Sequence, residues 1–187
     1  MEEQELVRRV QAGDEDAVTE LHARYVDAVF RYLVAQTSSY HDSEELLQDV
    51  FYRAAVKLDT YNGRAALKTW LFKIARNAVI DYYRRTDKEK NVVLAADPRP
   101  EDAGRTEENA ETVVMRGLHM EDVERCMEQM TEDHRQVLHL RFVEDLSLKE
   151  TAAILGRTTL SVKALQWRAR QKLKECIGTE VMPGDTE

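Results

Sequence analysis

Apolar residues recur at three- and four-residue intervals along almost the whole chain, and strict alternation is scarcely visible. The pattern therefore predicts helices and no sheet. A first helix over residues 3–12 stops near Gly13. Asp14 or Asp16 is placed to cap the next, whose apolar face is Ala17, Leu21, Tyr25, Ala28, Val29 and Tyr32. Residues 38–42 are a polar break. Ser43 is expected to cap a helix carrying Leu47, Val50, Phe51, Ala54, Ala55 and Leu58, which ends in the turn chemistry of Asn62-Gly63. A helix over residues 68–85 follows. From Asp87 to Gly117 the periodicity fails; Asp97-Pro98-Arg99-Pro100, Gly104 and an acidic run read as a linker whose later part is open to helix. The pattern resumes over residues 120–130. Thr131 then caps a helix through Val143, and Ser147 caps a short one through Leu155. Gly156-Arg157 is a turn, and Thr158 or Thr159 caps the last helix.

These elements predict an all-α chain of two small helical domains joined by an acidic flexible linker. The first domain spans residues 1–86, the linker 87–118 and the second domain 119–178, with a disordered tail over 179–187. The second domain contains a helix-turn-helix: residues 148–155, the Gly156-Arg157 turn, then residues 160–177.

Charge sharpens the picture. The 187-residue chain carries a net charge of −8, yet residues 64–90 hold eight Lys/Arg against three Asp/Glu, and residues 157–174 hold six Lys/Arg and no acid. Two positive surfaces on a negative body suit two contacts with one polyanion, and weak affinity for DNA by either alone. On the last helix Val162, Leu165, Ala169, Leu173 and Ile177 form the apolar stripe, while Lys163, Trp167, Arg170 and Lys174 cluster on another face. A helix exposing that face can enter a major groove. Thr158, Thr159, Ser161, Lys163, Gln166, Trp167 and Arg168 are its candidates for base or phosphate contact, and Arg170 and Lys174 suit phosphate. A basic solvated helix in an ordinary bundle, with Trp167 packed as core, is the alternative.

In the earlier basic helix, Trp70, Lys73, Asn77 and Arg84 share one face, and Leu71, Ile74, Ala75, Ala78 and Tyr82 line the opposite one. Rings beside cations and an amide suit unpaired bases and their backbone. On spacing alone, a core Trp beside a solvated basic face is the favoured reading. Upstream, Glu44, Glu45, Gln48 and Asp49 make an acidic face over an apolar one, fit to dock a basic partner helix or simply to face solvent.

Other classes find little support. No apolar run approaches the ~20 residues of a membrane span, and the acidic N-terminus is no secretory signal. Cys126 and Cys176 have no CxxC spacing, which leads us to expect lone thiols, a reducing compartment and no disulfide. The five His show no ligand spacing, so no metal or other cofactor is expected, and no catalytic motif is present.

Taken together, DSEELLQDVFYRA, TWLFKIARNAVIDYYRR, HRQVLHLRFVEDLSLKETAAILG and SVKALQWRARQKLK resemble, in order and separation, the bacterial extracytoplasmic-function (ECF) sigma factors. The likeness covers about residues 14–85 and 130–177. It implies a cytoplasmic, non-enzymatic factor that binds core RNA polymerase, places it on promoter DNA and melts the −10 element. Carried over by position, Glu45, Gln48 and Asp49 meet the polymerase clamp helices. Lys73 and Asn77 capture a flipped −10 base, Trp70 supports melting, and Arg84 and Arg85 hold the backbone. Lys163, Ala164, Trp167 and Arg168 meet the −35 element, residues 141–146 face the polymerase flap, and the linker threads toward the active-site cleft. The resemblance also implies an anti-sigma factor. The chain departs from many relatives at Met130-Thr131, at Leu160-Ser161 and at Ala164, where Ser is common; the last two concern the −35 preference. The competing reading is a helix-turn-helix regulator that binds duplex DNA without polymerase.

Overall fold

The computed structural model describes residues 3–37, 39–94, 123 and 125–177, with side chains of the long fourth helix described through Asp87. The helices are α1 (Glu3–Gln11), α2 (Glu15–Thr37), α3 (Tyr40–Lys57), α4 (Leu67–Leu94), α5 (Glu132–Leu138), α6 (Leu148–Leu155) and α7 (Thr159–Ile177). A single turn of 3-10 helix, Leu58–Thr60, follows α3, and a wide π turn, His139–Val143, follows α5. Among the described residues there is no strand, so the all-α expectation holds.

Local chemistry accounts for most of the boundaries. Gly13 ends the first turn structure with φ +83°, a left-handed conformation that costs glycine little. Asp14 caps α2, its Oδ1 accepting from the Ala17 amide at 3.1 Å. The α3 start differs from expectation. Ser39, not Ser43, is the N-cap, and its hydroxyl accepts from the Asp42 amide at 3.3 Å. Ser43 lies one turn inside on the buried face, donating to the Ser39 carbonyl at 2.6 Å. The helix begins within the polar break because short polar side chains there satisfy its first amides. Helix α4 also runs to Leu94, beyond the end expected at Arg85. Residues 95–118 of the predicted linker, residues 119–122 and 178 of the predicted second domain and the predicted tail, residues 179–187, lie outside the described residues.

Helices α1 to α4 pack as one bundle around Val29, Leu33, Leu46, Val50, Leu67, Leu71 and Ala75, all essentially buried. Glu3 ties α1 to this bundle: its carboxylate accepts from the Tyr25 hydroxyl at 2.7 Å and from the Leu67 amide at 3.2 Å, and so helps to cap α4. Helices α5 to α7 form a second core of Val137, Leu140, Ile154, Leu155, Val162 and Ala169. Ser147 and Glu150 close α6 with a reciprocal capping box, and Gly156, at φ +63°, ends it in the left-handed conformation.

The two bundles pack against each other. Helix α6 lies along α4, α5 meets α2, and the Tyr32 ring joins the halves through edge contacts to Phe72 and His139, each at 5.4 Å between centroids. The joint is polar. Glu144, only 5% exposed, places Oε2 2.9 Å from Lys68 Nζ, and its Oε1 lies 3.4 Å from His139 Nε2 and 3.8 Å from Arg31 Nη2. Lys68 also donates to the Glu144 carbonyl at 2.8 Å. Arg76 donates to Gln136 at 3.1 Å, and Arg135 reaches the Tyr83 hydroxyl at 3.2 Å. Tyr32 Oη and the buried side-chain amide of Gln36 have no protein hydrogen-bond partner. An interface built this way resembles contacts between separable domains more than an obligate core.

One expectation is overturned. Cys126 and Cys176 are bonded to each other across 50 residues, with Cα atoms 5.9 Å apart, so neither is a lone thiol. A search for short Cys spacings is blind to a pair that helix packing brings together, here helical residues 125–128 against the last turn of α7. Cysteine usage consequently says nothing for a reducing compartment. Closing a loop of that length restricts the unfolded chain, so reduction is expected to cost the second bundle roughly 2–4 kcal/mol. Thermal unfolding with and without reductant, alongside thiol alkylation read by intact mass, checks this.

Candidate nucleic-acid interface

Helix α4 carries the first group of predicted residues. Its inner stripe, Leu71, Ile74, Ala75 and Ala78, is buried as its periodicity requires. Lys73, Asn77, Arg84 and Arg85 are exposed on the other side. Trp70 is half-buried, packed on the core and tilted against Tyr61 at 5.3 Å between centroids. The neighbouring stripe of α4, Lys68, Thr69 and Arg76, faces the second bundle instead. The exposed cationic face and the domain-packing face are therefore adjacent but distinct.

Helix α7 carries the second group. Thr158 caps it, its hydroxyl accepting from the Ser161 amide at 3.2 Å, so this side chain serves the helix. Thr159, Lys163, Ala164, Trp167 and Arg168 are exposed, while Ser161 and Arg170 are half-exposed. Trp167 is 63% exposed, which removes the reading of this ring as core. Arg168 curls back onto the Ala164 carbonyl at 3.3 Å, and Arg170 lies over the Phe142 ring, 5.8 Å from its centroid. Gln166 is engaged by Arg141 at 3.0 Å, which turns it from the reading face.

On α3, Glu45 and Gln48 are exposed, Glu45 lying 3.5 Å from His41. Asp49 differs: it pairs with Arg53 at 2.8 Å, and Arg53 reaches on to Asp81 of α4 at 2.9 Å. Both carboxylates hold that guanidinium charged, and the triad fixes α3 against α4. Two residues outside the expected docking set stand on the same outer face, Tyr52 at 71% and Val56 at 63% exposure. Their spacing from Glu45, seven and eleven residues, is the helical signal that reveals them. A groove of about 310 Å³ runs from Glu45 and Asp49 past Arg53 to Tyr82 and Arg85, so the acidic and basic faces meet at one edge. Burial, aided by a 2.7 Å hydrogen bond to Asp42, pushes the Tyr82 hydroxyl up to about 12 and keeps it neutral there.

In the predicted flap-facing segment, Phe142 and Val143 are exposed, whereas Glu144 and Leu146 are buried. Among the described residues no cluster of side chains could hold a metal ion, and no helix is long and apolar enough to cross a membrane.

Comparison with known proteins agrees with this arrangement. Residues 21–89 match the family model described as Sigma-70 region 2, and residues 126–175 match Sigma-70, region 4. The chain is 32% identical over 161 residues to the ECF RNA polymerase sigma factor SigM of Bacillus subtilis, covering 84% of this chain and 93% of that protein. It is 31% identical over 186 residues to the ECF RNA polymerase sigma-E factor of Escherichia coli, covering 97% and 95% respectively. Its fold is similar to that of the sigma factor RpoE, solved in complex with the anti-sigma factor NepR from Bartonella quintana. There the TM-score is 0.70 at 22% identity, over 87% of this chain and 98% of that one. With region 2 supplying the exposed face of α4 and region 4 the helix-turn-helix, the chain belongs to the ECF RNA polymerase sigma factor family.

Proposed function

We propose that this sigma factor docks on core RNA polymerase through α3, captures unpaired −10 bases with Trp70, Lys73 and Asn77, and presents α7 to the −35 element. Arg84 and Arg85 hold the −10 backbone. The factor acts without catalysing a reaction itself, in the cytoplasm where polymerase and chromosome meet. The observation that carries this reading is the pair of exposed basic faces on two bundles whose remaining surface is acidic. Each face alone binds DNA weakly, and polymerase supplies the effective concentration that joins them.

The packed arrangement bears on how this works. Elements named for positions −10 and −35 lie about 25 base pairs apart, roughly 85 Å along B-DNA at ~3.4 Å per step. A compact body of this size has a radius of gyration on the order of 15 Å. The two bundles must therefore part before both elements are engaged. A partner that holds the bundles together keeps the factor silent. The structural likeness to a sigma factor bound by NepR supports an anti-sigma factor in that role, and a chain recovered from its native cell always free and active would count against it.

The testing experiment is in vitro transcription with purified bacterial core polymerase on fragmented genomic DNA, with and without the protein. New start sites that require it are expected, sharing −10 and −35 elements. Tight binding to duplex DNA with no new transcript would favour the stand-alone regulator.

The docking face makes its own prediction. Glu45→Lys should lower core affinity about tenfold with unchanged thermal stability, since Glu45 is exposed. Asp49→Lys should lower both, because it also removes one of the two carboxylates that hold Arg53 and sets a like charge beside it. Titration of labelled core polymerase beside a thermal melt separates the two effects.

A further inference from the structure

Helix α7 has two apolar stripes, and only one is needed for folding. Val162, Leu165, Ala169 and Leu173 are buried against the rest of the second bundle. Leu160, Ala164 and Trp167 follow one another at four- and three-residue steps; at about 100° per residue they lie on the opposite side of the helix. Leu160 is 77% exposed, Trp167 is 63% exposed, and Ala164 is exposed between them. A single exposed apolar residue needs no explanation, but three in register, opposite the core, form a surface. Cations flank it on both sides, Lys163 and Lys174 on one and Arg168 and Lys172 on the other. The nearest acid on the helix is Glu175, in its last turn. The stripe begins at the N-terminal turn, the part of a helix-turn-helix that comes nearest base edges.

Hydrogen-bonding groups are scarce along this line. Ala164 and Leu160 offer none, Thr158 is spent on the cap and Gln166 on Arg141. What the stripe offers is apolar area between cations. In a major groove the one apolar feature of a base pair is the C5 methyl of thymine, and apolar side chains are its complement. We propose that Leu160, Ala164 and Trp167 determine the −35 preference by packing against thymine methyls, while Lys163 and Arg168 supply the polar and phosphate contacts. Leu160 then becomes a specificity-determining residue, and the preferred element carries at least two thymines, on either strand, facing α7. The inference rests on the assignment of α7 to the −35 element.

The test uses the full chain with core polymerase on a promoter found by the transcription experiment. The −35 thymines are replaced by uracil, which removes the methyl and leaves every hydrogen-bonding group. Removing one buried methyl weakens binding about fourfold, so removing two is expected to reduce promoter affinity roughly 15-fold. With Leu160→Ala and Trp167→Ala, both exposed positions that leave the fold intact, the thymine-to-uracil ratio should fall toward one. Equal use of thymine and uracil templates by the unaltered protein would overturn the proposal and assign the stripe to a protein partner; so would a −35 element without thymine. Scrambling the −35 base pairs is the separate control. If scrambling has no effect, the assignment of α7 itself fails. If scrambling abolishes recruitment while uracil does not, only the methyl-reading proposal fails.

Discussion

Replacing both Lys73 and Asn77 by alanine is expected to reduce open-complex formation about 100-fold while leaving core polymerase affinity within a factor of two. The magnitude follows from what each side chain offers a flipped base. Hydrogen bonds from an amide or a cation to a base or its backbone contribute about 1–2 kcal/mol each, and two together approach two orders of magnitude. The selectivity follows from position. Lys73 and Asn77 are exposed on the outer face of α4, whereas the proposed docking face lies on α3, and neither residue supports the core that positions it. Permanganate footprinting of the melted strand reports opening, and titration with labelled core reports docking. Trp70→Ala gives a different signature. Because the ring also packs on Tyr61, that variant should lose thermal stability as well as melting activity. A double variant at Lys73 and Asn77 with core binding impaired in parallel with opening would place the docking surface on α4 and contradict this division of labour.

The helices are legible in the sequence because burial imposes a period that exposed residues do not disturb. Ala17, Tyr25, Val29 and Tyr32 on α2 and the inner stripe of α4 read directly as core. The same logic makes the exposure of Lys73, Asn77, Lys163 and Arg168 legible, since they fall off the buried stripes of their helices. Three features escape it for definable reasons. The Cys126–Cys176 bond joins residues 50 apart, and no local pattern reports a pairing set by helix packing. Asp49 resembles its exposed neighbour Glu45 in sequence, but its role is decided by Arg53 and by Asp81 on another helix. Glu144 falls in a segment expected to face polymerase. Its burial depends on where the second bundle rests, and a periodicity within one helix carries no information about that. For Trp167 the spacing fits core and surface alike, and only its exposure separates the two.

Glu144 leads to the second large effect, because it is the buried charge around which the two bundles close. Burial alone would push its carboxyl up; contacts from His139 and Lys68 outweigh that and hold it below the ordinary carboxylate value. A lowered value means that the ionised form belongs to the closed state. Its contribution is complete above about pH 4.5 and is lost as pH falls through the still lower value it has when closed. Removing one member of such a cluster leaves the others buried and uncompensated, which typically costs 3–5 kcal/mol in a dry core. Lys68 is partly exposed, with 32% of its side chain accessible, so about 2 kcal/mol is the appropriate scale. Glu144→Gln is therefore expected to shift the balance between closed and parted bundles roughly 30-fold toward the parted form. Lys68→Met should do the same, and the double variant should fall well short of the sum, as coupled partners do. Fluorophores on exposed positions of α3 and α7 report the distance between bundles, and each bundle's own melting checks that neither has unfolded. On the proposed function, in which the bundles part before both promoter elements are engaged, Glu144→Gln should also bind core polymerase and initiate at lower protein concentration than the unaltered chain. Variants that part the bundles without any gain in initiation would show that closure, though real, is not what limits this factor.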